Sequence, residues 1–141
     1  MTAIIDYGAG NLQSVEKALR HIGCEGTVVG GAAGLMSADS AVLPGVGAFG
    51  EAMAGLESRG LVGAIGDFVR TGRPFLGICL GLQVLFESSQ ESPGVKGLSL
   101  LPGRIVRLPE DRGLKVPHMG WNSLEVKRPG WLLKGLPAEP Y

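Results

Sequence analysis

The chain has 141 residues, 13 basic and 13 acidic side chains, no formal net charge, 45% hydrophobic residues and two cysteines. That length suits one domain, and the balanced charge leaves no electrostatic footprint for a nucleic acid or an anionic membrane surface. Cys24 and Cys79 have no ligand-spaced neighbours, which excludes a disulfide framework, implies no metal or cofactor, and fits a reducing, cytoplasmic setting.

Ala3-Ile4-Ile5 is a continuous apolar run that stops at Asp6-Tyr7-Gly8-Ala9-Gly10, which predicts a buried strand followed by a glycine-rich turn. Asn11 is a helix cap by type, Leu12, Val15, Leu19 and Ile22 recur at helical spacing, and Gly23 ends the pattern. Val28-Val29 and Ala41-Val42-Leu43 predict two more strands, the second running into Pro44-Gly45-Val46-Gly47. Two helical stretches follow, with apolar positions at Phe49, Met53 and Leu56 and then at Leu61, Ile65 and Phe68. Residues 75–78 make the fourth strand. Strands alternating with helices predict an α/β fold: a doubly wound, mostly parallel sheet with flanking helices and ligands at the carboxyl ends of its strands.

The longest apolar stretch, 75–86, is too short to span a bilayer and contains Gln83, and the N-terminal run carries Asp6 in place of a basic leader. No tract reads as a linker, and 87–97 is the first place where a domain break could fall. Beyond Gly97 the residues 104–108 and 124–127 alternate polar and apolar side chains, which predicts an antiparallel extension of half-exposed strands. The last residues, 135–141, hold two prolines and no pattern that would complete the sheet, so the C-terminal strands of such a fold are expected to be missing.

The chemistry concentrates on Gly77-Ile78-Cys79-Leu80-Gly81, where an apolar strand turns sharply into a helix. Glycines two residues before and after Cys79 permit a tight turn that lifts the thiol out of the sheet, as a nucleophile requires. The alternative is a buried structural cysteine, and the paired glycines favour the nucleophile. Attack on an amide carbonyl creates an oxyanion, and the glycines around Val46 allow its N–H to turn inward beside that of Leu80. Without Cys79 nearby, Pro44-Gly45-Val46-Gly47 would read as an ordinary turn. Gln83 stands about one helical turn beyond Cys79, where its amide can approach the same pocket. A cysteine nucleophile also needs a base, and only His21 and His118 are available. His21 falls near the end of the first helix, where the helix dipole accounts for it, and His118 lies in an irregular loop whose placement sequence order does not decide. Cys24 reads as a packed thiol.

These segments resemble the class I glutamine amidotransferases, and among them the glutaminase subunits of imidazole glycerol phosphate synthase. The likeness is carried by Ile5-Asp6-Tyr7-Gly8-Ala9-Gly10-Asn11-Leu12, Leu43-Pro44-Gly45-Val46-Gly47-Ala48-Phe49, Leu76-Gly77-Ile78-Cys79-Leu80-Gly81-Leu82-Gln83 and Val116-Pro117-His118-Met119-Gly120-Trp121-Asn122. The resemblance implies a single amidotransferase domain over 1–141, incomplete at its C-terminus. It further implies that Cys79 attacks glutamine, that Val46 and Leu80 form the oxyanion hole, and that Gly45, Gly47 and Gln83 hold the substrate. Ammonia would pass to a separate (β/α)₈-barrel cyclase subunit, faced by Asn11, Trp121 and Asn122, in histidine biosynthesis. The His-Pro-Glu-type segment of that family has no counterpart here, so these 141 residues alone are expected to show little or no glutaminase activity. The competing expectations are a partner-binding module without chemistry and the glutaminase part of another class I amidotransferase.

Overall fold

The computed structural model describes residues 1–109, 120–127, 130 and 133–135. It divides into two compact units, Met1–Arg107 and Leu108–Tyr141, and the division falls beyond 87–97, the first place where a break could fall.

The first unit is built on a parallel sheet of β1 (Thr2–Ile5), β2 (Gly26–Val29), β3 (Ser40–Gly45) and β4 (Phe75–Cys79), in the order β2-β1-β3-β4. From β1 the chain crosses one way through α1 (Leu12–His21) to β2, and then the other way through α2 (Ala32–Met36) to β3. The order therefore reverses at β1, and the loops that leave β1 and β3 diverge at their carboxyl ends, the place where such sheets open a crevice. From β3 the chain runs through α3 (Phe49–Ser58) and α4 (Leu61–Arg70) to β4, and α5 (Leu80–Gln83) follows without a linker.

Alternation along the strands separates two faces. Ala3, Ile5, Val29, Ala41 and Leu43 share the face that packs on α3 and α4, whose Phe49, Met53, Leu56, Leu61, Ile65 and Phe68 are all buried. These six are the positions that helical periodicity picks out, and they form the main core. The opposite face carries Ile4, Val28, Val42 and Leu76, and it has α1 over it. No residue of α1 is fully buried, and an apolar groove lined by Val15, Leu19, Ile22, Val42, Leu76 and Ile78 remains beside it. Leu76 and Ile78 are accordingly exposed.

Asn11 caps α1 as expected, its Oδ1 accepting from the Ser14 N–H at 3.1 Å, and Gly23 closes the helix at φ +75°. Strand β3 runs two residues past the expected 41–43 and takes in Pro44. A proline is tolerated there because the pairing with β1 ends at Ile4 and Val42, so no ladder bond needs its missing N–H. The five-residue α2 was not expected: only Leu35 of it is buried, too little for a periodic signal.

The antiparallel extension is corrected by the structure. Of 104–108 only β6 (Arg104–Ile105) is a strand, and it pairs in parallel with β5 (Ser88–Ser89), while an isolated antiparallel bridge joins Ser88 to Lys96. Residues 124–127 form no strand. Alternation reports a half-exposed extended segment, and it carries no information about which strand, if any, lies alongside.

Arg73 closes the first unit below β4. Its Nη1 donates to the carbonyls of Met36 at 2.8 Å and Ala38 at 2.5 Å, and its guanidinium lies 4.2 Å from the centre of the Phe68 ring. Arg73→Ala is expected to destabilise the chain by about 2 kcal/mol, because two carbonyls lose a charged donor. Urea melts of the two proteins check this, and Arg73→Lys, without the planar fork, is expected to recover less than half of the loss.

Candidate active site at the β4 to α5 turn

Cys79 ends β4 with φ +55° and ψ −119°, a conformation that L-residues rarely adopt, and its side chain is exposed. Such a backbone costs about 1–3 kcal/mol and persists only where its surroundings impose it. The sequence places the conformational freedom in the flanking glycines, whereas the structure places the strain in the cysteine itself. The glycines are needed for space. A Cβ on Gly77 would stand 2.7 Å from the Leu82 Cα and 2.8 Å from the Gly81 carbonyl oxygen, and one on Gly81 would collide with the Leu43 carbonyl oxygen. Helix α5 is thereby pressed down onto the ends of β3 and β4.

Register completes the arrangement. Gly45 pairs with Cys79 across the sheet, so Val46 leaves β3 where Leu80 leaves β4. A Cβ on Gly45 would meet the Gly81 nitrogen, the Leu80 carbonyl carbon at 2.9 Å and the Tyr7 hydroxyl at 2.8 Å. The structure thus brings Gly45, Val46, Cys79 and Leu80 together at one strand end. Val46 and Gly47 are exposed, with Gly47 at φ +95°, and Leu80 is buried. Gln83 ends α5 half-buried.

Two supports were not legible in the sequence. Ala48, at the cap of α3, has no side chain that can accept from the first turn, and residues 42 positions away do so instead. Glu91 accepts from the Phe49 N–H at 2.9 Å, and the Ser92 hydroxyl accepts from the Gly50 N–H at 3.0 Å. The helix start that follows Gly47 is therefore held by the 89–92 turn. On the other side, Gly10 at φ +107° lies 3.4 Å, measured from its would-be Cβ, from the Pro44 ring, so the β1 loop folds over the end of β3. Arg59 holds that loop, its Nη1 donating to the Asp6 carbonyl at 2.7 Å and lying 3.1 Å from the Asp6 carboxylate.

The remaining candidates separate. His21 closes α1 and so lies at the amino end of the sheet, opposite Cys79. Cys24 shares that end and is exposed, which corrects the expectation of a packed thiol: the β2 strand begins two residues later, and the loop before it, Gly23 to Glu25, is exposed. Asn11 is exposed and already serves as the α1 cap. Trp121 and Asn122 lie in irregular backbone of the second unit, and His118 falls outside the described residues. Among the described residues no group of His, Cys, Asp or Glu is arranged to hold a metal ion, and no helix is long and apolar enough to cross a membrane.

The family model described as glutamine amidotransferase class-I matches residues 3–140. The chain belongs to the class I glutamine amidotransferases. It is 53% identical over 141 residues to the imidazole glycerol phosphate synthase subunit HisH of Desulfitobacterium hafniense, covering all of this chain and 66% of that relative. It is 56% identical to the subunit of the same name from Methanothermobacter thermautotrophicus, covering 99% of this chain and 68% of the relative. The chain therefore spans about two thirds of the length of these curated relatives. Among solved structures, a glutamine amidotransferase superposes with a TM-score of 0.66 at 20% identity, over 81% of this chain and 59% of the other. A peptidase E-like protein from Listeria monocytogenes superposes with a TM-score of 0.56 at 14% identity, over 71% and 62%. At such identities these two likenesses speak for the fold alone.

Two outcomes test this geometry. Gly81→Ala is expected to leave no soluble folded chain, since its methyl meets backbone that cannot yield, whereas Leu82→Ala at an exposed neighbour stays within about 0.5 kcal/mol of the parent; expression and thermal melts decide. The Gly8 N–H and the Arg59 guanidinium hold the Asp6 carboxyl below its ordinary pKa. Because the folded-state value is depressed, the stabilisation is present above the unfolded value near pH 4 and is lost as pH falls through the folded one. Asp6→Asn is therefore expected to weaken the chain at pH 6 and to make little difference at pH 2, as read by urea melts at each pH.

Proposed function

We propose that the protein to which this chain belongs is the glutaminase subunit of imidazole glycerol phosphate synthase. It would release ammonia from glutamine for a (β/α)₈-barrel cyclase subunit in the cytoplasm. The observation that carries the reading is Cys79, strained, exposed and paired with Gly45, in a chain about half identical to two proteins named as that subunit.

The chemistry is that of a thiolate. The Cys79 sulfur attacks the side-chain amide carbon of glutamine, forming a carbon–sulfur bond while the carbonyl electrons move onto oxygen. The N–H groups of Val46 and Leu80 are the donors proposed to hold that oxyanion, and one such donor is typically worth about 10²–10³ in rate. Collapse breaks the carbon–nitrogen bond as the nitrogen takes up a proton, and ammonia leaves a glutamyl thioester. Water then cleaves the thioester to glutamate and restores the thiol. Gly45, Gly47 and Gln83 would border the substrate, and Asn11, Trp121 and Asn122 would face the cyclase. Among the described residues no histidine stands at this end of the sheet, because His21 lies at the other. A cysteine nucleophile without a partner to take its proton reacts slowly, so slow chemistry is expected of these residues alone.

Growth of a histidine auxotroph lacking this subunit tests the reading in the whole protein. The parent gene is expected to restore growth on minimal medium, and Cys79→Ala to abolish it, with ammonia release falling at least about 10³-fold. Growth supported by the Cys79→Ala gene would overturn the assignment of Cys79, and no growth with the parent gene would overturn the assignment of the subunit. For the 141-residue chain, ammonia release with and without the cyclase is expected to stay near background, and robust turnover would show that another group acts as the base.

A further inference from the structure

The two N–H groups proposed to meet the oxyanion belong to different segments, Val46 to the connection between β3 and α3 and Leu80 to the turn between β4 and α5. Strand register ties these segments together at one point, where Gly45 lies opposite Cys79. Between Gly45 and the buried Phe49 stand only Val46, Gly47 and Ala48, and the first two of them are exposed. The position of the Val46 peptide therefore depends on what fixes the far end of this short span.

The far end is held by the segment that carries the nucleophile. The first N–H groups of a helix have no partner inside it, and a Ser, Thr, Asp or Asn at the cap position ordinarily accepts from them. Ala48 occupies that position in α3 and makes no such bond. The Phe49 N–H donates instead to Glu91 Oε2 at 2.9 Å and the Gly50 N–H to the Ser92 hydroxyl at 3.0 Å, both on the stretch of chain that follows α5. A cap at position 48 would tie the helix start only to its own neighbour, whereas these two bonds tie it to the segment of Cys79 and Leu80. The turn that supplies the acceptors is itself anchored. The Glu91 N–H donates to the hydroxyl of the buried Ser89 at 3.2 Å, the Gln90 N–H to the Ile105 carbonyl at 3.0 Å, and the Arg107 N–H to Gln90 Oε1 at 3.0 Å. We infer that Glu91 and Ser92 are positioning residues, which hold the Val46 donor beside that of Leu80 by clamping the start of α3 to the segment that carries Cys79. The inference rests on the reading of Val46 and Leu80 as the oxyanion donors. Glu91 acts here through a hydrogen bond, so an uncharged acceptor of the same shape serves in its place. The clamp bears on the step in which the oxyanion forms, and glutamine binding is untouched by it.

Steady-state ammonia release by the whole protein with the cyclase tests this in the parent, Glu91→Ala, Glu91→Gln and Ser92→Ala. Glu91→Ala is expected to lower kcat about tenfold, short of the 10²–10³ that removal of a donor costs, with KM within about twofold of the parent. Glu91→Gln, whose amide oxygen can accept the same bond, is expected to bring kcat back to within about threefold of the parent, and Ser92→Ala to lower it about threefold at an unchanged KM. A kcat at the parental level in Ser92→Ala would overturn the inference, and this variant decides even where Glu91→Ala does not fold. Glu91→Gln as slow as Glu91→Ala, with a raised KM, would also overturn it, by placing the carboxylate charge on the substrate. A parent that releases no ammonia sinks the glutaminase reading and this inference with it, whereas a parent that turns over beside unaffected variants overturns the inference alone.

Discussion

The structure depends on a contact with no room in it: the backbone of α5 lies so close to the ends of β3 and β4 that Gly45, Gly77 and Gly81 cannot carry a side chain. Helix α5 begins at the residue after the strand ends, and a helix that starts without a linker must fold back over its own strand. Close approach of backbone to backbone is what makes this possible, and it forces Cys79 into a positive φ. The exposed thiol is a consequence of that packing. An added methyl at any of these three glycines would displace the cysteine before it affected any chemistry.

The same strand end is buttressed from three directions. Tyr7 stands beneath Gly45, the 89–92 turn caps α3 just beyond Gly47, and the β1 loop, tied to Arg59, leans on Pro44. Tyr7 and the β1 loop come from one segment and the 89–92 turn from another, as expected where the strand order reverses and loops leave in opposite directions. Exposed loops are ordinarily the pliable part of a fold. Here the loop that carries Val46 is anchored at both ends.

Much of this was legible in the sequence, and the limits have physical causes. Helical spacing picked out Phe49, Met53, Leu56, Leu61, Ile65 and Phe68 because α3 and α4 pack on the fully covered face of the sheet, where burial follows periodicity. The stripe of α1 was equally regular, yet it is only half buried, since periodicity shows which side of a helix is apolar and not how much lies opposite it. Residues 104–108 and 124–127 alternate as strands do, and only two of these residues found a partner strand. The caps on α3 and the neighbours of Tyr7 are separated from it by tens of residues, a distance over which no local pattern reaches.

The sequence by itself determined the α/β alternation, the identity of the nucleophile candidate and the family, because strand and helix periods and the glycine-flanked cysteine are local properties of neighbouring residues. Only the tertiary structure decided that the strain sits in Cys79 and not in its glycines, that Gly45 lies opposite it, and that Tyr7 is buried beneath both with its hydroxyl unpaired. Register, crossover and close packing join residues that are distant in the chain, and their energies exist only once the sheet has formed.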